Sequence, residues 1–332
     1  MKKTTIGNTD LICSRIGLGT WAIGGSEWGG NDEEESLRAI HCSIDQGITL
    51  IDTAPIYGEG LAEEIVGRAI AGKRDQVVIA TKVGLRWDCE DGEFNFVSGS
   101  GKKIYRNLRP KSIREEVDRS LRRLKIDVID LLQTHWPDGS TPLSDTVGTL
   151  VELKEEGKIR ALGGCNLSGD LYHQWTEFGP INSIQEMFSM LDRENEETLF
   201  AEARTAGASV LAYSPLAMGL LAGKLDPQRV FPSDDIRSWS PRFTSENRQK
   251  VLDLLSAFEP FTKKYQVSTA QLVIGWTLSR SAITHVLSGA RNPAQAKENA
   301  VAGHLEIADS DLAAMNRILT EANLVLPHPF KG

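Results

Sequence analysis

Thr49-Leu-Ile-Asp-Thr-Ala-Pro-Ile-Tyr-Gly58 opens as a short apolar run and ends in a carboxylate, a phenol and a glycine. An apolar run bounded by proline and glycine reads as a buried strand. Asp52 and Tyr57 therefore stand where a strand hands over to a loop. Two further runs end in the same way, Val77-Val-Ile-Ala-Thr81 in Lys82 and Val128-Ile-Asp-Leu-Leu-Gln-Thr134 in His135. Four titratable side chains at strand exits form the pattern of an acid–base site in a barrel, whose consecutive strand ends share one mouth.

The unit of strand, loop and helix continues outward from this stretch. Strands are predicted near Ile16–Thr20, Thr49–Thr53, Val77–Lys82, Val128–Thr134, Arg160–Cys165, Ser183–Met187, Ser209–Ser214 and Ile283–Ser288. Helices such as Asp32–Gln46, Leu61–Ala71, Ser112–Leu124, Asp145–Glu156, Glu194–Thr205 and Pro293–Ala302 lie between them. This alternation predicts an α/β fold, the (β/α)8 TIM barrel, rather than an open doubly wound sheet. An amphipathic start, Thr4 to Ser14, turns at Gly7-Asn8 as a hairpin. Val251–Lys264, Thr269–Leu278 and Asp311–Leu319 read as extra helices outside the barrel. Arg86–Leu108 and Lys224–Thr244 read as long irregular insertions on the functional face. No linker divides the chain, so residues 1–332 are expected to form one domain.

The 332 residues are 40% hydrophobic and carry a formal charge of -8, which offers no basic footprint for nucleic acid or an anionic membrane. No stretch approaches a membrane-spanning helix, and Gly7 to Asp10 interrupts any secretory core after Met1-Lys-Lys. Cys13, Cys42, Cys89 and Cys165 lack C-x-x-C spacing, which fits reduced thiols in the cytoplasm and no structural metal. Asn166-Leu-Ser168 matches the glycosylation pattern but carries little weight without a secretory signal.

Asp52, Tyr57, Lys82 and His135 make chemical sense as one site. A tyrosine with a pKa near 10 is a poor proton donor at neutral pH. An ammonium beside it lowers that value, and a carboxylate holds the ammonium in place. His135 is then available to orient a carbonyl oxygen or relay a proton. A Schiff base on Lys82, as in a barrel aldolase or isomerase, is the alternative chemistry for a lysine here.

Gly17-Leu-Gly-Thr-Trp21, Ile51-Asp-Thr-Ala-Pro-Ile-Tyr-Gly58, Thr81-Lys82 and Leu132-Gln-Thr-His-Trp-Pro137 together resemble the aldo-keto reductases, in motif and in order, over nearly the whole chain. The resemblance implies that Tyr57 is the acid–base, Lys82 and Asp52 its tuning pair, and His135 the orienting residue. It also separates the chain from the potassium-channel β-subunits, which carry Asn at the His135 position. Those subunits supply the rival reading, a protein that binds NADPH as a sensor.

Gly17-Leu-Gly-Thr-Trp-Ala22 satisfies G-x-G-x-x-[GA], but Trp21 fills the turn that a Rossmann pyrophosphate needs, and no helix is expected after it. Better phosphate candidates come late. Ser288-Gly-Ala-Arg291 precedes the cap pair Asn292-Pro293, and Tyr213 to Lys224 joins an aromatic to a glycine-bearing loop and a cation. Both segments resemble the reductase cofactor site. By that resemblance Thr20, Trp21, Asp52 and Gly289 contact the cofactor, Tyr213 stacks on its nicotinamide, and Cys165, Asn166 and Gln185 hold its carboxamide. Ser214, Leu216, Gly219, Leu221 and Lys224 line the pyrophosphate. Arg291, Gln295, Glu298 and Asn299 hold the adenosine end, and Arg291 favours NADP(H) over NAD(H). Cys165 stands where the family usually has Ser, and Phe188 where it often has Tyr. Trp21, Trp28, Trp87 and Trp136 are candidate walls of a pocket for a small carbonyl or alcohol. The chain is most similar to bacterial reductases of short aldehydes, ketoses and polyols such as glyceraldehyde and glycerol.

Overall fold

A computed structural model describes residues 1–329. In chain order its strands are β1 Lys3–Thr5, β2 Ile12–Ser14, β3 Ile16–Gly19, β4 Leu50–Asp52, β5 Val78–Val83, β6 Leu85–Arg86, β7 Glu93–Val97, β8 Lys103–Arg106, β9 Ile129–Thr134, β10 Ile159–Cys165, β11 Ser183–Met187, β12 Ser209–Tyr213 and β13 His285–Gly289. Its α-helices are α1 Trp21–Gly24, α2 Glu33–Asp45, α3 Leu61–Ala69, α4 Pro110–Leu124, α5 Leu143–Glu155, α6 Gly169–Phe178, α7 Leu199–Thr205, α8 Ser245–Ser256, α9 Glu259–Tyr265, α10 Thr269–Leu278, α11 Pro293–Ala302 and α12 Asp309–Ala322.

Strands β3, β4, β5, β9, β10, β11, β12 and β13 close into the expected parallel barrel. Each is short, apolar and almost wholly buried, as a strand covered on both faces must be. Leu50, Val78, Ala80, Leu131, Ala161, Leu211 and Leu287 form one buried cluster on the barrel strands, and the predicted hairpin β1–β2 and its turn add Ile6, Leu11 and Cys13 to it. The larger core lies between the strands and the surrounding helices.

Several expectations are corrected. The segment from Arg86 to Leu108 is no irregular loop: β6, β8 and β7 form an antiparallel sheet in that order. The single helix expected over 251–264 is two, because Pro260 lacks an amide hydrogen and must start a helix, and buried Phe258 anchors the break. Helix α10 is no accessory: it is buried from Leu272 to Leu278 and serves as the covering helix of the unit before β13. The helix expected from Glu194 begins only at Leu199, after turns in which Glu196 accepts from Arg193. Helix α6 was not anticipated; Ser168 caps it by accepting from the Leu171 amide. The glycine-rich motif at residues 17–22 does open a helix, but α1 lasts one turn and stops at left-handed Gly25.

Candidate active site

Asp52 ends β4, Lys82 lies on β5, and His135 follows β9, with its amide donating to the Val83 carbonyl at 2.8 Å. Tyr57 sits in the turn after β4, and its backbone is fixed by contact with Gly24. A Cβ on Gly24 would lie 2.5 Å from the Tyr57 carbonyl carbon, so only glycine permits this approach. The first and second strand–helix loops are thereby locked together, and the phenol is aimed at Lys82.

Lys82 is 1% exposed, and its three N–H groups are satisfied: Nζ donates to Asp52 Oδ2 at 2.7 Å, to the Thr53 carbonyl at 2.9 Å and to Tyr57 Oη at 3.3 Å. The other Asp52 oxygen accepts from Gln185 Nε2 at 2.8 Å. The His135 and Tyr57 rings meet edge to face with centroids 5.7 Å apart, and Trp21 covers Tyr57 at 6.3 Å. All four titratable groups read from the sequence are thus brought together.

Their electrostatics differ from expectation in one respect. Burial pushes the Tyr57 hydroxyl up to about 12; Lys82 opposes this but does not overcome it. The anticipated net lowering is absent because removing a phenolate from water costs more than one ammonium at 3.3 Å returns. Burial is the largest influence on Lys82 and acts to lower it, yet Asp52, with Tyr57 and Cys165 adding to its effect, holds the ammonium above its ordinary value. Burial, then Lys82, drives His135 well below the usual histidine range, leaving a neutral imidazole.

A cavity of about 1270 Å³ runs from this network to the start of α11. Thr20, Trp21, Asp52, Asn166, Gln185, Tyr213, Ser214, Leu216, Gly219, Lys224, Gly289, Arg291, Gln295, Glu298 and Asn299 line it, as do Trp28 and Trp136. Cys165, Leu221, Lys82 and Trp87 do not. Cys165 and Leu221 are buried behind the wall, and Trp87 packs against the Arg123 guanidinium, 6.0 Å from its ring. Trp87 is therefore corrected from pocket wall to packing residue. Asn166, of the glycosylation pattern, faces inward: Nδ2 donates to the His135 carbonyl at 2.9 Å, and Oδ1 accepts from Tyr213 at 2.8 Å.

The cavity suits an extended dinucleotide. Gly19 and Gly289, paired across β3 and β13, leave its floor without side chains. Beyond Tyr213 the backbone is left-handed at Ser214 and again at Ala217, Met218 and Gly219, a strained run of which Ser214, Met218 and Gly219 line the cavity. Helix α11 opens on Asn292 and Pro293 beside Arg291, which places a helix N-terminus and a guanidinium at the far end. Arg291 donates to the carbonyls of Trp28 at 2.9 Å and Gly30 at 2.6 Å, and Lys224 pairs with Glu298 at 3.0 Å. Sequence reasoning missed the wall made by β7 and β8, which contributes Asn95, Phe96 and Arg106. The alternation in Glu93-Phe-Asn-Phe-Val97 was the available signal. Among the described residues no cluster of His, Cys, Asp or Glu is placed to hold a metal, and no helix is long and apolar enough to cross a membrane.

Comparison with known proteins agrees with this geometry. Residues 15–320 match the model of the Aldo/keto reductase family. The chain is 42% identical over 328 residues to the NADH-specific methylglyoxal reductase of Escherichia coli, covering 97% of this chain and 99% of that one. It is 40% identical to aldo-keto reductase YhdN of Bacillus subtilis, covering 89% and 86% of the two chains. Among solved structures it is similar to the glycerol dehydrogenase AKR11B4 of Gluconobacter oxydans, with a TM-score of 0.87, 39% identity and 98% of both chains covered.

Proposed function

The chain belongs to the aldo/keto reductase family, and from that premise we propose that it is a single-domain cytoplasmic oxidoreductase interconverting short carbonyls with their alcohols. The observation that carries the reading is the buried Asp52–Lys82–Tyr57 chain of hydrogen bonds, with neutral His135 across the phenol and a dinucleotide-sized cavity in front. A bound nicotinamide dinucleotide supplies the hydride. The residues of the chain supply the rest. Tyr57 Oη gives its proton to the developing alkoxide, Lys82 stabilises the charge left on the phenol, and the His135 ring N–H orients the carbonyl oxygen. Asp52 holds Lys82 in place. Alcohol oxidation uses the same groups in reverse and is favoured at high pH because it releases a proton. The aromatic walls formed by Trp21, Trp28 and Trp136 beside Tyr57 and His135 leave room for short substrates such as glyceraldehyde and glycerol.

NADP(H) is proposed as the preferred cofactor, because Arg291 can add a guanidinium to the N-terminus of α11. A second reading, NADH, is favoured by the two carbonyls that already occupy Arg291 and by the name of the Escherichia coli relative. Titration with NADPH and NADH by nucleotide fluorescence, followed by an aldehyde panel, separates the two. Tyr57→Phe is expected to lose about 10²- to 10⁴-fold in turnover and to keep nucleotide binding. Unchanged turnover in that variant removes the mechanism, and nucleotide binding without turnover in the intact protein favours the sensor reading.

A further inference from the structure

We infer that Arg106 selects substrates that carry an anionic group, a carboxylate or a phosphate, beyond the reacting carbonyl. The inference rests on the reductase reading. It begins in the antiparallel sheet, where β8 pairs with β6 on one side and β7 on the other. Side chains alternate along a strand, so Ile104 and Arg106 share a face. Ile104 packs with Ala54, Ile56 and Leu85 and contacts Tyr57 and Trp136 through that cluster. The same face therefore carries Arg106 to the mouth of the active site.

The guanidinium carbon lies 5.6 Å from the Trp136 ring centroid, and Trp136 follows His135 in the chain. Nε and Nη2 donate to Asn95 Oδ1 at 3.1 and 2.7 Å, which fixes the plane of the group without neutralising it. The nearest carboxylate is Glu93, with Nη1 3.9 Å from Oε1, and that carboxylate is 47% exposed. A cation held over an aromatic ring and fixed by Asn95, with N–H groups to spare and a distant, hydrated counter-charge, is prepared for a bidentate anion. A neutral polyol or aldehyde offers it only an uncharged acceptor, a weaker partner than an anion.

The test uses two matched pairs: glyceraldehyde against glyceraldehyde 3-phosphate, and butanal against succinate semialdehyde. The readout is the ratio of kcat/KM, anionic over neutral, so a general loss of activity in a variant cancels. A charge-assisted contact predicts a ratio of about 10 to 100 in the intact protein, expressed in KM and eroded by salt. The pair that shows it distinguishes phosphate from carboxylate. Arg106→Met should bring the ratio toward unity, Arg106→Lys should retain part of it, and Glu93→Gln should raise it. A ratio near unity in the intact protein, or one that survives Arg106→Met, overturns the inference. Absence of turnover with all four compounds would sink the reductase reading and this inference with it.

Discussion

Replacing Asp52 by Asn tests whether the buried ion pair organises the site. Lys82 and Asp52 are 1% and 3% exposed, and among the described residues their 2.7 Å contact is the only ion pair of the ammonium; the Thr53 carbonyl and Tyr57 hydroxyl remain as dipolar partners. Removing one member of such a pair leaves an uncompensated buried charge, at a cost of about 3–5 kcal/mol. A chain of 332 residues unfolds with an entropy of about 0.7 kcal/mol/K, so Tm should fall by about 4–7 °C at pH 7. The pH dependence gives a second handle. In the intact protein Lys82 is held above its ordinary value, so folded and unfolded chains both keep its proton from pH 7 to pH 10, and its contribution is lost only as pH rises through the folded value. In the variant the counter-charge is gone and burial, the largest influence on Lys82, prevails over the remaining dipolar partners, so the folded state releases the proton before the unfolded chain does, and stability rises with pH. Differential scanning calorimetry at pH 7, 8.5 and 10, at matched scan rates, should show the gap between the two proteins narrowing. A gap below about 1 °C at pH 7, or one that widens toward pH 10, refutes the reasoning.

Two further outcomes follow from the same electrostatics. Glu116 is buried behind β5, accepts from the Gly84 amide at 3.0 Å and is pushed up to about 8, chiefly by burial. The folded state therefore holds this proton to higher pH than the unfolded chain, whose value is about 4.3, and stability declines as pH rises through that window. Glu116→Gln should gain Tm over the intact protein progressively from pH 5 to pH 8; a constant difference across that range counts against the burial argument. Since His135 stays neutral and the Tyr57 proton is retained to about 12, carbonyl reduction should show no inflection near the ordinary histidine value and should persist toward pH 10. An inflection between pH 6 and 7 that vanishes in His135→Gln would contradict it.

Strand exits were readable because the residues that end them are chemically conspicuous. Asp52, Lys82 and His135 each follow a run too apolar to be anything but buried, and a barrel brings such ends together whatever the chain does between them. The β6–β8–β7 sheet was harder to read. Its flanking polar, glycine-spaced residues look like loop, and although Glu93–Val97 alternates, the strand is largely exposed, so its alternation marks no core face.

The sequence alone determined the barrel, the meeting of Asp52, Tyr57, Lys82 and His135 and part of the cavity lining, since these depend on periodicity and on residue type at fixed offsets. Only the tertiary structure decided the balance of charges and the reach of individual side chains. Burial outweighs Lys82 at Tyr57, Trp87 turns to Arg123 instead of the cavity, and Arg106 arrives beside Trp136. Each outcome depends on distance and solvent exclusion between segments far apart in the chain, and local sequence encodes neither quantity.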